Sequence, residues 1–301
     1  MRILAFPASV VWVAAGCCAI SQHAETRDCL PQYSHAALET LAINQFSIGD
    51  AEADALALAL SDCLGESDPF LRDDIGYTGF ARLLRSEKVS AETIKKLNRK
   101  LQVQLTTQDD DGFQQPFASL ALAEIVRADR IGNIFSDAER TAIVTTATDY
   151  VRQVIDYRGF SDEEGWRHGV AHGADLLMQL VLNPHINDTD IPALVDAALS
   201  QVGANHSHAY VFGEPRRLAR PVLFAMQREV MSDDDWAERF SALTEPDGQS
   251  WDNAYGSESS LARLHNTRAF MLSIYASIAE SEQPVFESLR PIVRAALASL
   301  P

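Results

Sequence analysis

The chain has 301 residues, of which 47% are hydrophobic and 22% are charged. This composition is ordinary for a globular protein and excludes a disordered chain, and the length allows one large domain or two small ones. The formal net charge is −17, from 25 Lys and Arg against 42 Asp and Glu. Nucleic acids and anionic membrane surfaces both attract basic proteins, so the charge argues against either as a general partner.

The first 21 residues carry the strongest local signal. Arg2 is the only charged side chain before residue 23, and the stretch 3–20 is almost wholly apolar. A positive start, an apolar stretch and small residues after it are typical of an export signal. We therefore expect an exported protein, in the periplasm, held at a membrane or secreted.

Three outcomes of the export signal stay open. The run Ala14-Ala15-Gly16-Cys17 resembles a lipobox, which predicts lipidation of Cys17 and a membrane-anchored lipoprotein. Small residues at Ala19 and Ser21 instead permit ordinary cleavage after residue 21. An uncleaved anchor is the third outcome, because about 18 apolar residues just reach across a bilayer.

Two cysteines remain outside the signal, Cys29 and Cys63. An oxidising compartment favours a disulfide between them, which stabilises a fold by up to ~4 kcal/mol. The alternative is two unpaired small core residues.

The rest of the chain shows helical periodicity, and no stretch alternates apolar and polar residues over the length of a strand. Ser136 and Glu139 have the spacing of a capping box, and Ser90 and Ser232 are further N-cap candidates. The helical segments begin near residues 50, 68, 90, 116, 136 and 165, and further ones span 190–202, 215–231, 233–243, 258–281 and 285–299.

About a dozen helices joined by short connections predict an all-α fold of stacked antiparallel helix pairs. The stack is either an α/α solenoid-like (HEAT-like) array or a closed α/α array. We assign residues 22–49 to an N-terminal extension and residues 50–301 to a single helical domain.

The most unusual segment runs from Gly165 to Leu182 and is predicted to be one helix. At 100° per residue, His168, His172 and Asp175 lie within about 60° of one another on that helix. Gly169 and Gly173 cost helix stability, which indicates that a neighbouring helix approaches closely there.

The histidine stripe is compatible with several kinds of chemistry. Histidines at i and i+4 with a carboxylate at i+7 can hold a divalent metal such as zinc. Asp175 can alternatively orient an imidazole for acid–base work. The segment is not an HExxH motif, because Gly169 follows His168. The stripe can also be a plain polar face, or a buried polar network that fixes helix packing.

Other segments supply candidate partners for the stripe. The catalytic candidates on other helices are Asp73, Asp74, Arg217 and Glu214. The candidates for substrate binding are Trp166, Tyr77, Trp251 and Asn266.

Six segments, in the same order, resemble a bacterial family grouped as domain of unknown function 2785 (DUF2785). The resemblance covers about residues 68–280, and its most specific part is the run from Gly165 to Asp175. It implies an all-α fold and brings no established reaction. The segments are 72–77, 116–122, 156–160, 165–175, 213–219 and 266–270.

Two functions follow as hypotheses. The first is a non-enzymatic binding or scaffold module of the cell envelope, with a peptide, protein or cell-wall partner in a groove lined by Trp251, Tyr255 and the histidine stripe. The second is a metal-dependent or acid–base hydrolase centred on His168, His172 and Asp175. A Walker loop, a GxGxxG turn and a GxSxG elbow are all missing from the sequence, which disfavours nucleotide-dependent enzymes and common serine hydrolases.

Overall fold

The computed structural model describes residues 29–204, 206–245 and 251–301. The predicted signal and its Cys17 lie outside these residues. The described residues form twelve α-helices: α1 (His35–Ile43), α2 (Asp50–Leu60), α3 (Thr78–Arg85), α4 (Ala91–Thr106), α5 (Gln114–Gly132), α6 (Asp137–Gln153), α7 (Gly169–Leu182), α8 (Ile191–Val202), α9 (Glu214–Gln227), α10 (Asp233–Thr244), α11 (Glu258–Ala279) and α12 (Phe286–Ala298).

Several helices begin where the sequence predicts a cap. The Ser136 hydroxyl accepts the Glu139 N–H at 3.3 Å, and the Glu139 carboxylate accepts the Ser136 N–H at 2.8 Å. This confirms the predicted capping box at the start of α6. Ser232 forms a second capping box with Asp235 at the start of α10, and the Ser90 hydroxyl accepts the Thr93 N–H at the start of α4.

A short hairpin corrects the sequence analysis, which predicted no strand. Strand β1 (Phe160–Ser161) pairs antiparallel with β2 (Gly165–Trp166). The helix predicted from Gly165 therefore begins only at Gly169. The reason is local, because Gly165 has φ +72° and His168 has φ +57°, outside the right-handed helical region.

Nine of these helices stack in two rows, in which successive members pack on one another. One row contains α3, α5, α7, α9 and α11, and the other contains α2, α4, α6 and α8. The predicted all-α single domain is confirmed. Within the part of the chain that the structure describes, no helix is both long enough and apolar enough to cross a bilayer.

Helix α7 lies in the middle of its row, between α5 and α9, with α6 and α8 also against it. Every residue from Gly169 to Met178 is buried. A Cβ at Gly173 would stand 2.8 Å from Val151 Cγ2 on α6. The predicted close helix approach at Gly173 is thereby confirmed, and α7 is the central helix of the fold.

The N-terminal segment packs on the same core as the rest of the chain. Leu30, Leu38 and Phe46, from the predicted extension, are buried in that core. Cys29 and Cys63 form a disulfide with a Cα–Cα distance of 5.0 Å. Cys63 lies in a 3-10 turn just before a π-helix (Phe70–Tyr77) that continues into α3.

Candidate functional site

His168 stands at the start of α7 and not within it, which corrects the predicted stripe. Its backbone is left-handed, a conformation in which histidine is enriched among residues other than glycine. The His168 N–H donates to the Arg158 carbonyl at 3.0 Å, and its own carbonyl accepts the His172 N–H at 3.0 Å. These bonds join the hairpin to the first turn of α7.

Three exposed aromatic side chains, Phe160, Trp166 and Phe212, form what we call the ring cluster. The Trp166 ring stacks on the His168 ring at 4.6 Å between centroids and an interplanar angle of 22°. Phe160 lies 5.0 Å from Trp166, and Phe212 meets Trp166 edge-on at 6.1 Å and 86°. The three residues remain 43%, 38% and 36% exposed. The cluster covers His168, which is 7% exposed.

Gly159 makes room for the ring of Phe212. A Cβ at this position would stand 2.0 Å from Phe212 Cδ2, so no larger residue fits without moving the ring. The Gly159 carbonyl also accepts the Arg167 N–H at 2.8 Å, next to the paired strands. The ring cluster is thus built from two chain segments that are far apart in sequence.

Arg72, on the π-helix, and Arg167, next to the hairpin, both pack on Phe113. The Arg72 and Arg167 guanidinium groups lie over the Phe113 ring, 4.0 Å and 4.1 Å from its centroid. Arg72 donates to the Glu164 carbonyl at 2.7 Å, and Arg167 binds the Glu164 carboxylate through both terminal nitrogens. The ring cluster therefore stands on a fixed support.

His168 and Glu214 face each other beneath the ring cluster. His168 Nε2 is 3.7 Å from Glu214 Oε1, and this buried nitrogen has no hydrogen-bond partner within the described residues. A backbone hydrogen bond at Phe212 raises the pKa of His168. A neutral imidazole carries its proton on one ring nitrogen, so in the tautomer with the proton on Nδ1 the buried Nε2 presents a bare lone pair.

Burial lowers the pKa of His168 to about 4, and the Arg217 cation adds to this effect. Burial also lowers the pKa of His172 well below its ordinary value, helped by His168 and Arg217. His172 forms a backbone hydrogen bond with Pro116, while its Nδ1 is buried without a partner among the described residues. Both imidazoles are neutral at physiological pH.

Asp175 forms an ion pair with Arg217 and not with the histidines. Arg217 Nε donates to Asp175 Oδ1 at 2.8 Å, and Arg217 Nη2 donates to Oδ2. Arg220 adds a contact at 3.9 Å. Burial raises the pKa of Asp175, and the Arg217 guanidinium opposes that rise.

The structure does not assemble the predicted metal-ligand set of His168, His172 and Asp175. Both carboxylate oxygens of Asp175 face a guanidinium, so neither is available to a cation. Over 29–204, 206–245 and 251–301, no group of three or more His, Cys, Asp or Glu side chains is placed to hold a metal ion.

Tyr77 lies on the side of the site towards Asp175. Its ring contacts Phe117 edge-on at 6.5 Å, and Phe117 contacts His172 at 5.1 Å. Burial raises the pKa of Tyr77 to about 12, and the Glu124 carboxylate contributes. Tyr77 is therefore a neutral hydroxyl close to the Asp175–Arg217 pair.

The remaining predicted residues lie outside the ring cluster. Asp73 pairs with the buried Arg72 at 2.8 Å, and Asp74 is exposed. The Asn266 amide binds the Tyr210 N–H and the His208 carbonyl, at 2.8 Å and 3.1 Å, and so fixes the loop before α9. Trp251 donates its indole N–H to the Thr244 carbonyl at 2.6 Å, in the connection after α10.

A family model described as protein of unknown function (DUF2785) matches residues 101–276 of the chain. The chain belongs to the DUF2785 family. The match spans more than half of the chain and confirms the resemblance seen in the sequence. No curated protein and no solved structure matches the chain.

The DUF2785 segment includes the whole ring cluster with His168 and Glu214. Asp73 and Tyr77 precede it. Sequence reasoning found Trp166, His168 and Glu214 but missed the role of Phe160 and Phe212. The usable signal for Phe160 was the span from Gly159 to Trp166, a short aromatic-flanked turn that contains Gly165.

Proposed function

We propose that the chain is a ligand-binding module of the cell envelope, with its binding site at the ring cluster. The observation that carries this proposal is that three exposed aromatic side chains cover a buried imidazole with an unused acceptor atom, Nε2 of His168. A buried polar atom without a partner is costly, and a ligand group can supply the missing partner.

The support under the ring cluster favours binding. Grouped aromatic side chains on a protein surface are typical of interaction sites, whereas scattered ones are ordinary. Trp166 and Phe160 lie on a hairpin that Arg72 and Arg167 hold in place. A fixed support reduces the entropy that a ligand must overcome on binding.

The envelope location rests on two features of the N-terminal region. The first 21 residues have the composition of an export signal, and Cys29 and Cys63 form a disulfide of the kind that persists in oxidising compartments. Cell fractionation of the full chain and of Cys17→Ser tests the proposal. We expect membrane-bound full chain and released Cys17→Ser, whereas full chain in the cytoplasmic fraction would contradict it.

The binding proposal is tested by a fragment screen on ¹⁵N-labelled protein that follows the tryptophan indole signals. We expect binding fragments to shift the Trp166 signal and to leave that of Trp236 unchanged, because Trp236 is 2% exposed in the core. Phe212→Ala should weaken the same fragments. Fragments that bind only elsewhere on the protein would overturn the proposal.

Acid–base catalysis is the second candidate function, because His168 is neutral and has a free Nε2 facing a carboxylate. Such an imidazole can accept a proton from a substrate or from water. A hydrolase screen should then find turnover that His168→Asn abolishes and His35→Asn, at an exposed histidine, retains. Turnover unaffected by His168→Asn would exclude this site as its origin.

A further inference from the structure

We infer that the ring cluster takes an organic primary ammonium group, with its N–H donors directed at His168 Nε2 and Glu214 Oε1. This inference rests on the proposed function and adds the chemical class of the ligand. It follows from three features of the site, namely the unmatched acceptors, the unpaired carboxylate and the aromatic rings.

The first feature is that two acceptors face each other without a donor. The proposal places the His168 proton on Nδ1, so Nε2, which is buried without a partner among the described residues, offers only a lone pair. Glu214 Oε1, at 3.7 Å, is also an acceptor. This distance exceeds a direct hydrogen bond, and a donor placed between the two atoms satisfies both.

The second feature is the charge of Glu214. This residue is 2% exposed, and it forms no ion pair with a Lys or Arg of the described residues. Its Oε2 accepts the Phe212 N–H at 2.9 Å. Buried charges in proteins are normally paired. Arg217 does not fill this role, because it is bound to Asp175.

The third feature is the arrangement of the aromatic rings. Trp166 and Phe212 meet at 86°, and the Phe160 ring lies 5.0 Å from that of Trp166. Aromatic faces attract ammonium groups within about 6 Å. The hairpin turn adds exposed Asp162, Glu163 and Glu164, and the net charge of −17 favours cationic ligands over anionic ones.

These features select a primary ammonium among simple cations. It has three N–H donors, so it can bind Nε2 and Oε1 at once and still contact an aromatic face. A quaternary ammonium keeps the charge but has no N–H, and an alcohol has a single donor and no charge. The three groups can therefore be distinguished by experiment.

The test compares four probes by NMR titration of the Trp166 indole signal at constant ionic strength: n-butylammonium, tetramethylammonium, n-butanol and butyrate. We expect n-butylammonium to bind at least about tenfold more tightly than each of the others, as the loss of a charged hydrogen bond implies. Tighter or equal binding of tetramethylammonium, butanol or butyrate at Trp166 would overturn the ammonium class and leave the proposed binding site intact.

Two variants test whether Glu214 and His168 are the residues that bind n-butylammonium. Glu214→Gln keeps an oxygen for the Phe212 N–H and removes the charge, and His168→Asn keeps a residue that tolerates left-handed backbone. Each should weaken n-butylammonium at least about tenfold. Asp234→Asn makes the same charge change at an exposed position and should have no effect.

The outcomes separate the two proposals. Unchanged n-butylammonium binding in folded Glu214→Gln or His168→Asn overturns the inference, and either variant suffices if the other does not fold. If neither these probes nor any fragment shifts the Trp166 signal, the inference and the proposed binding site both fail.

Discussion

Phe212 joins His168 to Glu214 through its own backbone. Its N–H donates to Glu214 Oε2 at 2.9 Å, and a backbone hydrogen bond at the same residue raises the pKa of His168. The same residue places its aromatic ring against Trp166. We therefore expect a ligand that displaces the Phe212 ring to disturb the backbone contact with Glu214.

Gly159→Ala tests the packing beneath the ring cluster. The new Cβ would overlap the Phe212 ring, so we expect a loss of about 1–3 kcal/mol in the free energy of unfolding and a shifted Trp166 signal. Denaturant unfolding and the indole spectrum measure the two effects. Gly49→Ala is the control, because a Cβ there meets nothing within 4 Å, and it should leave the Trp166 signal in place. An unchanged spectrum in Gly159→Ala would contradict this packing.

The free energy of unfolding should fall as the pH is lowered from 7 to 4. The pKa of His168 is about 4 in the folded chain and ~6.5 when unfolded. Between these values the unfolded chain binds more protons, so stability is complete above the unfolded pKa and decreases as the pH falls. His168 alone contributes about 2–3 kcal/mol to this loss.

The variant that checks the pH dependence is His168→Asn. Its free energy of unfolding should fall less between pH 6.5 and pH 4 than that of the wild type, with His35→Asn as the exposed control. Equal pH slopes in wild type and His168→Asn would show that His168 is not the buried neutral group described above.

Removal of Arg217 and removal of Asp175 should lower the stability of the protein by different amounts. Arg217→Met leaves a buried carboxylate and should cost about 3 kcal/mol in stability, whereas Asp175→Asn leaves a half-exposed guanidinium and should cost about 1–2 kcal/mol. Arg239→Met leaves an exposed carboxylate, that of Asp196, and should cost under about 1 kcal/mol. Denaturant titration ranks the three variants, and equal costs for both partners of the buried pair would refute this reading.

Reduction of the Cys29–Cys63 disulfide should destabilise the chain by about 3–4 kcal/mol, given its sequence separation of 34 residues. Unfolding with and without a thiol reductant measures the difference. Cys29→Ser should match the reduced wild type and be insensitive to the reductant. A wild type that is equally stable in both conditions would indicate that the bond does not form.

Much of the helical architecture can be predicted from the sequence because helix caps and close-packing glycines are local signals. A capping box such as Ser136–Glu139 involves neighbouring residues, and Gly173 marks a close helix approach through its own missing side chain. The hairpin was missed because strands of two residues are too short to show alternation. The left-handed backbone of His168 then ended the predicted helix early.

The candidate site was only partly predictable because its contacts are distant in sequence. Phe160 and Phe212 meet Trp166 only after α7 and α9 have packed together. Asp175 looked like a metal ligand from its spacing, but Arg217, 42 residues later, takes both of its oxygens. Spacing along one helix cannot reveal a partner on another helix.

The most direct test of the binding site is a high-resolution crystal structure of the protein with n-butylammonium. We predict that its nitrogen lies about 2.7–3.2 Å from both His168 Nε2 and Glu214 Oε1, with the ring cluster around the alkyl chain. A structure in which Nε2 donates directly to the Glu214 carboxylate, with no ligand beneath Trp166 at saturating concentration, would contradict the account.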